Sequence, residues 1–400
     1  MLLRNRMACA VVAVCTAIVV VGCDSAAPEA VHSPAAAPSP AAATLAARGQ
    51  VVSSTDPLTA WSSYLPSETR ATRIVYRSVS GVDGAATTVS GAVFVPGGDR
   101  PAGGWPLIAY AHGTTGVTRD CGPSDRADMF GDIRAVAGFL NSGYAVVTTD
   151  YQGLGERTSG PAHPYLEPRT AGYNVIDATR AARSVEPTIG PEWVAVGASQ
   201  GGAAAWASAE EFAGYGPGAG QLVGAAATVP LLDAGYLVDR AQSGELTPSQ
   251  RWLYPILVKG VAQANPQLTA GDYLHGAVGQ NVDALVSCSG ERSGLTDEVN
   301  AADGDAFMAD AADADRLRGV LDSMSLPRTR TDVPILAMYG SVDEIIPVDV
   351  MEVTLGRACT LGDTVTRVRR EGQGHSLDPG ALLGQWIAAR FAGQPATGDC

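Results

Sequence analysis

A serine between two glycines lies near the middle of the chain, in the segment Gly-Ala-Ser-Gln-Gly at residues 197–201. Residues 193–196 read as a short strand, and the small residues after position 201 are typical of a helix packed closely on a sheet. A serine on so tight a turn adopts strained backbone angles, so its neighbours Gly197 and Gly201 must lack side chains. The pattern predicts a nucleophile elbow in which Ser199 attacks an acyl group.

Two backbone N–H groups near this serine are predicted to form an oxyanion hole. The strand-like residues 107–111 lead into His-Gly-Thr-Thr-Gly at 112–116, where glycines allow N–H groups to face a substrate. We therefore assign the two donors to the N–H groups of Thr114 and of Gln200, the residue after the nucleophile. The hydroxyl of Thr114 is a third candidate donor.

The general base and its acidic partner are expected after the serine in the chain. The strand-like residues 333–339 lead to Asp343, from which a carboxylate can reach a histidine ring, and Glu344 and Asp349 are its rivals. Of the five histidines, only His375 follows this acid. The order predicts a Ser-Asp-His triad.

The chemistry of such a triad is hydrolysis through an acyl-enzyme. His375 would accept the proton of Ser199 as the hydroxyl attacks an ester carbonyl, while Asp343 orients the imidazole and stabilises the imidazolium. The alcohol would leave with a proton from the same ring, and water would repeat these steps to release the acid. Since His375 must be neutral to act as a base, we expect activity to fall below about pH 6 to 7.

The elements around these residues alternate between strands and helices, as in an α/β fold with a mostly parallel central sheet flanked by helices. Outside the site, the sequence predicts an antiparallel pair at 74–78 and 88–95, helices near 129–140 and 170–184, and parallel strands at 144–149 and 222–229.

Residues 231–330 predict a mainly helical cap inserted before the acid-bearing strand. No strand of the sheet is required there, and apolar residues recur on one helical face at positions 252, 253, 256, 257 and 261. The core is then split into residues 51–230 and 331–400. We expect the cap to wall the acyl pocket.

The first fifty residues predict export and a tether. Arg4 and Arg6 precede an uncharged apolar run that ends in Val-Val-Gly-Cys at Cys23. We interpret residues 1–22 as a lipoprotein-type signal peptide and Cys23 as a lipidated residue that anchors the chain to the cell membrane. Cleavage nearby and an uncleaved membrane anchor are the alternatives. Residues 23–50, rich in Ala, Pro and Ser, are expected to form a flexible spacer. The protein would then be a cell-envelope lipoprotein or a secreted protein.

Four cysteines follow the signal segment and the lipidation site: Cys121, Cys288, Cys359 and Cys400. An even number in an exported protein predicts two disulfides, for which the sequence alone allows three connectivities. A metal site or a cysteine nucleophile would need CxxC or Cys-His spacing, which the sequence lacks. We therefore expect no metal and no cofactor. The net charge of −14 argues against nucleic acid as a partner, because phosphate contacts need clustered Lys and Arg.

Six segments together resemble the secretory lipase family. They are Tyr-Arg-Ser at 76–78, Val-Ser-Gly-Ala-Val-Phe-Val-Pro at 89–96, Ala-His-Gly-Thr-Thr-Gly at 111–116, Thr-Asp-Tyr-Gln-Gly-Leu-Gly at 149–155, the elbow at 197–202 and Gly-Ser-Val-Asp at 340–343. The resemblance implies an α/β-hydrolase fold with a helical cap and activity on carboxylic esters, including triacylglycerols. It also implies disulfides that pair Cys121 with Cys288 and Cys359 with Cys400.

The predicted function is that of an exported, lipase-like serine hydrolase of acyl esters. A carboxylesterase for short-chain or water-soluble esters is the first alternative, since it differs only in pocket depth and interfacial behaviour. A serine peptidase of the same fold would need an acidic subsite or an added propeller, and we find neither in the sequence. A non-catalytic binding protein is disfavoured because Ser199, Asp343 and His375 are all present in the required order.

Overall fold

The computed structural model describes residues 39–288 and 294–400. The predicted signal peptide and Cys23 lie outside the described residues. Within the described part, no helix combines the length and apolarity needed to cross a bilayer. Over the same residues, no cluster of three His, Cys, Asp or Glu side chains is arranged to hold a metal ion.

A central sheet organises the described part of the chain. Its strands are β1 (Val51–Thr55), β2 (Arg70–Val79), β3 (Ala86–Val95), β4 (Trp105–Ala111), β5 (Ala145–Thr149), β6 (Ile189–Ala198), β7 (Gln221–Thr228), β8 (Ile335–Gly340) and β9 (Val365–Arg370). They lie in the order β1-β2-β3-β5-β4-β6-β7-β8-β9. The first three strands are antiparallel to their neighbours, and β5, β4, β6, β7, β8 and β9 are mutually parallel. The carboxyl ends of the parallel strands therefore meet at one edge, where α/β folds place their sites.

Helices cover both faces of the sheet. The α-helices of the described residues are α1 (Ala42–Ala47), α2 (Ile133–Asn141), α3 (Pro168–Val185), α4 (Gln200–Tyr215), α5 (Tyr236–Gln242), α6 (Pro248–Ala262), α7 (Gly276–Gln280), α8 (Val282–Leu285), α9 (Thr296–Ala301), α10 (Ala311–Met324), α11 (Val348–Leu361) and α12 (Gly380–Phe391). Helices α3 and α4 share one core with the sheet, and α2 and α12 share the other.

Strand residues alternate between these two cores because successive side chains point to opposite faces. In β4, Leu107 and Ala109 join the core with α3 and α4, whereas Ile108 joins the core with α2 and α12. Both faces are therefore buried, which explains why the central strands are continuous apolar runs in the sequence.

Strand β1 has no signature in the sequence. It reads Val-Val-Ser-Ser-Thr, four of its five residues are exposed, and it pairs antiparallel with β2. Because neither face is buried, no apolar alternation marks it. Backbone pairing with the neighbouring strand decides its conformation.

Helices α5 to α10 lie between β7 and β8, and the described residues of this insertion contribute no strand to the sheet. The α/β-hydrolase fold with a mainly helical cap before the acid-bearing strand is confirmed. Its division at residues 231 and 330 stays a prediction.

The two disulfides pair as the resemblance implies. Cys121 bonds to Cys288 across 167 residues and joins the segment after β4 to the cap. Cys359, in α11, bonds to Cys400 across 41 residues. A cross-link that closes a long loop restricts the unfolded chain most, so the first bond is expected to contribute about 4 kcal/mol of stability.

The segment that returns from the cap to β8 is fastened to α4 by a buried carboxylate. Glu210 accepts hydrogen bonds from the backbone N–H groups of Arg328 (3.0 Å) and Thr329 (3.3 Å) and from the indole of Trp206 (3.0 Å). Thr331 donates its hydroxyl to the carbonyl of Ala209, at 2.7 Å. Burial raises the pKa of Glu210 to about 7, although the N–H donors oppose this shift.

Because the pKa of Glu210 is raised, we predict that the free energy of unfolding falls as the pH rises from about 4.5 to 7. The folded protein binds the proton of Glu210 more tightly than the unfolded chain does. The stability that this proton contributes is therefore full at pH values below the ordinary pKa, and it is lost as the pH rises through the raised pKa. The loss is on the order of 3 kcal/mol. We expect Glu210→Gln to flatten the pH dependence of the unfolding free energy, measured by urea denaturation at pH 5 and pH 8.

Because the wild type and the variant share all other titrating groups, the contributions of those groups to the pH dependence cancel when the two proteins are compared. Burial also raises the pKa of Asp177, to about 6, and this carboxylate acts in the same direction in both proteins. An identical decrease between pH 5 and pH 8 in wild type and Glu210→Gln would contradict the assignment to Glu210.

Candidate active site

Ser199 lies on a sharp turn between β6 and α4. Its backbone angles are φ 56° and ψ −118°, a region that residues other than glycine rarely adopt. Hydrogen bonds hold the turn on both sides: the N–H of Ser199 donates to the carbonyl of Thr228 (3.0 Å), and the N–H of Leu231 donates to the carbonyl of Ser199 (3.1 Å). The strain predicted for a nucleophile elbow is therefore present in the backbone.

The two flanking glycines are required by the crowding of this turn. A Cβ atom on Gly197 would lie 2.8 Å from the carbonyl oxygen of Ala111, and one on Gly201 would lie 2.7 Å from that of His112. Real Cβ contacts are not this short, so either substitution would push the elbow away from the end of β4. Close approach of these backbones places the segment after β4 beside the serine.

The structure brings Asp343 and His375 together. Nδ1 of His375 lies 3.0 Å from Oδ2 and 3.2 Å from Oδ1 of Asp343. The carboxylate is 3% exposed and also accepts the N–H groups of Ile345 and Ile346, both at 2.9 Å. These two bonds set the direction of the carboxylate, and the carboxylate sets the orientation of the ring.

The ring has no hydrogen bond to the hydroxyl of Ser199 within the described residues. Both side chains nevertheless follow the carboxyl ends of parallel strands, since β6 precedes Ser199 and β9 precedes His375. In hydrolases without substrate, this contact is often long and tightens only when the substrate binds.

The rival acids occupy other positions. Glu344 accepts the backbone N–H of His375 at 3.1 Å, so it supports the histidine loop and not the ring. Asp349 lies in the first turn of α11. The geometry therefore favours Asp343 as the partner of the imidazole.

The cap holds the loop that carries the acid. Tyr236 of α5 and Gln250 of α6 both donate to the carbonyl of Ile345 at 2.8 Å, and Thr247 donates to the carbonyl of Glu344 at 2.8 Å. Our reading of the sequence missed these residues. The one sequence pattern that includes two of them is the Thr-Pro-Ser-Gln capping box at the start of α6. A capping box predicts where a helix begins, but it does not predict which residues the helix contacts.

The two predicted oxyanion donors come from the elbow itself and from the segment after β4, whose backbone packs against the elbow. Gln200 is the first residue of α4, so its N–H has no intrahelical acceptor. Gly113, the residue before Thr114, lies against Ala198, the residue before the serine, with its would-be Cβ 3.5 Å from that carbonyl oxygen. The hydroxyl of Thr114 is 2.6 Å from that of Tyr165, and either can donate.

Aromatic side chains from the segment after β5 support this loop. Tyr151 is buried, and its hydroxyl donates to the carbonyl of His112 at 3.0 Å. Its ring contacts the rings of His112 and His163, with centroids 4.4 and 5.9 Å apart. These contacts were not predicted, because aromatic residues in a loop carry no periodic pattern.

The sheet order, the strained serine elbow and the helical cap define an α/β-hydrolase. Residues 128–399 match the secretory lipase family, and the chain belongs to that family. The chain is therefore a lipase-like ester hydrolase, and the name of the family implies export.

Relatives agree with this assignment. Lipase A of Arthroderma benhamiae is 25% identical over 371 residues, which cover 82% of this chain and 72% of that protein. Candida antarctica lipase A in its closed state has a TM-score of 0.69 at 16% identity, over 88% of this chain and 84% of that one. The rice cell wall degrading esterase LipA from Xanthomonas oryzae has a TM-score of 0.68 at 22% identity, over 86% and 98%. At these identities the two structures support the fold.

Proposed function

We propose that Ser199, Asp343 and His375 form the catalytic triad and that this hydrolase acts through an acyl-enzyme on Ser199. The observation that carries the proposal is the pair of short contacts from Nδ1 of His375 to the buried carboxylate of Asp343. With Nδ1–H donated to the carboxylate, Nε2 is the nitrogen left to accept a proton. The positive φ of Ser199 supports its role as the nucleophile.

The proposed reaction has two matching halves. Nε2 of His375 takes the proton of Ser199 while Oγ bonds to the ester carbon, and the carbonyl oxygen becomes an oxyanion. The N–H groups of Thr114 and Gln200 stabilise that charge. The C–O bond to the alcohol then breaks, and the alkoxide receives the proton from His375. Water repeats the sequence on the acyl-enzyme and releases the carboxylic acid and the free serine.

We propose long-chain acyl esters, including triacylglycerols, as the substrate class. Membership of the secretory lipase family and the name of the Arthroderma relative support this choice. We expect kcat/KM for p-nitrophenyl esters, from acetate to palmitate, to rise with chain length, because a longer chain buries more apolar surface. A sharp fall beyond butyrate would instead indicate a carboxylesterase for short or water-soluble esters.

We also propose that the chain is a cell-envelope lipoprotein, anchored through Cys23 and held off the membrane by the part of the predicted spacer at 23–50 that precedes α1. The support is the sequence alone: Arg4 and Arg6, the apolar run and the Val-Val-Gly-Cys junction. Labelled palmitate should be incorporated into the expressed protein and lost in Cys23→Ala. Equal labelling of both proteins would contradict the anchor, and a secreted, unlipidated chain is the alternative.

A further inference from the structure

One short segment contacts the side chains of both residues that carry the predicted oxyanion donors. Residues 163–165, which we call the bridge segment, lie between β5 and α3. At its start, Nε2 of His163 lies 2.9 Å from the side-chain nitrogen of Gln200. At its end, the hydroxyl of Tyr165 lies 2.6 Å from the hydroxyl of Thr114. The bridge segment therefore connects the first residue of α4 to the segment after β4.

Hydrogen bonds fix the ring of His163 and, through it, the side chain of Gln200. Nδ1 of the ring lies 2.9 Å from the carbonyl oxygen of Gln152, which can only accept, so Nδ1 carries the proton. Burial lowers the pKa of His163 to about 3, and the ring is therefore neutral. Its Nε2 can then only accept, and the NH₂ group of Gln200 donates to it. This bond restrains the residue whose backbone N–H is one of the predicted donors.

Packing holds the other end of the bridge segment. The side chain of Tyr165 is fully buried. Helix α6 of the cap lies against it at Gly260, where an added Cβ would overlap the Cβ of Tyr165. Because the ring has no room to move toward the cap, its hydroxyl is a fixed partner for the hydroxyl of Thr114, and either of the two can donate.

The backbone fixes these two contacts relative to each other. The N–H of Tyr165 donates to the carbonyl of His163 at 3.0 Å, which closes a three-residue turn around Pro164. Proline restricts the backbone angle at the centre of this turn. The rings of His163 and Tyr165 meet edge to face, with centroids 6.0 Å apart, and the ring of Tyr151 stacks on that of His163. A displacement at one end of the bridge segment is therefore transmitted to the other.

We propose that His163 and Tyr165 are positioning residues that set the separation of the two oxyanion donors. An oxyanion is stabilised fully only when both N–H groups lie about 3 Å from the same oxygen. The bridge segment restrains both residues that carry these groups, Thr114 and Gln200, and it acts through them and not on the reacting atoms. This role rests on the proposed function, because ester hydrolysis through Ser199 is the reaction that uses such a hole.

Tyr165→Phe tests the end of the bridge segment at Thr114, because it removes the hydroxyl and keeps the ring. We expect kcat for p-nitrophenyl octanoate to fall by about tenfold. Both halves of the reaction form an oxyanion, so acylation and deacylation slow together and KM should stay within about twofold. The matched control is Tyr273→Phe, which removes a hydroxyl that donates to the carbonyl of Asp313 in the cap, at 3.0 Å. The control should keep the wild-type kcat.

An alkyl trifluoromethyl ketone separates the oxyanion hole from a general loss of structure. Oγ of Ser199 bonds to its carbonyl carbon, the serine proton passes to His375, and the carbonyl oxygen becomes an oxyanion in the hole. In Tyr165→Phe the inhibition constant should rise by the factor by which kcat/KM falls, and in Tyr273→Phe it should not change. A purely structural effect would lower the amount of folded enzyme, measured by thermal melting, and leave the inhibition constant of the folded fraction unchanged.

Double variants test whether each contact acts through its partner. Tyr165→Phe/Thr114→Val should be no slower than Thr114→Val alone, because the contact is already lost in the single variant. At the other end, His163→Phe should lower kcat by about tenfold. His163→Phe/Gln200→Met, which keeps the backbone N–H of residue 200, should be no slower than Gln200→Met alone. The two pairs are independent, so a variant that fails to fold at one end leaves the test at the other.

The outcomes distinguish this proposal from the proposed function. An active wild type with an unchanged kcat in Tyr165→Phe, an unchanged inhibition constant in that variant, or additive losses in either pair would overturn the role of the bridge segment alone. A folded wild type that hydrolyses no ester would refute the proposed function and this role together. Parallel losses in kcat/KM and in ketone affinity, without additivity in the pairs, would establish the role.

Discussion

Ser199→Ala is expected to lower kcat for p-nitrophenyl ester hydrolysis by at least about a thousandfold. The variant cannot form the acyl-enzyme, so only the oxyanion donors and substrate binding remain to accelerate attack by water. Its stability should be close to that of the wild type, since alanine meets the same backbone strain at φ 56°. The measured activity should be normalised to the concentration of folded protein, and stability should be measured by thermal melting.

Ser199→Gly provides a matched control for this experiment. Glycine adopts positive φ without a Cβ penalty, so we expect it to be as inactive as the alanine variant but more stable, by about 1 kcal/mol. Together the two variants separate chemistry from strain. Retention of more than about a tenth of the activity in either variant would remove Ser199 from the nucleophile role.

Asp343→Asn is expected to lower kcat by about 10⁴-fold with little loss of stability. Oδ1 of the asparagine can still accept the N–H groups of Ile345 and Ile346, so the loop keeps its shape. Its NH₂ group then faces Nδ1 of His375 as a donor. The ring must carry its proton on Nε2, and it can no longer take one from Ser199. Stopped-flow measurement of acyl-enzyme formation reports this step directly.

Glu344→Gln tests the rival acid. The amide oxygen of glutamine can still accept the backbone N–H of His375, so we expect less than about a tenfold loss. A reversal of the two results, with Glu344→Gln severely impaired and Asp343→Asn nearly active, would assign the acid to Glu344 and refute the triad proposed here.

Local patterns in the chain were sufficient for much of the fold. The central strands are runs of apolar residues because both of their faces are buried. Such runs can be recognised from a short stretch of sequence without knowledge of the rest of the fold. The elbow was equally legible, since a strained serine between a strand and a helix needs glycine at positions 197 and 201. Strand β1 escaped the same reasoning because four of its five residues are exposed.

By itself, the sequence determined the residue types of the site and their order along the chain. Steric limits at the elbow and the proton chemistry of Ser, Asp and His allow few alternatives. Only the tertiary structure decided what holds them in place: Tyr236 and Gln250 of the cap on the acid loop, and His163 on the amide of Gln200. These contacts join residues 37 to 109 positions apart. Such a contact depends on how helices and strands pack, and no local spacing encodes it.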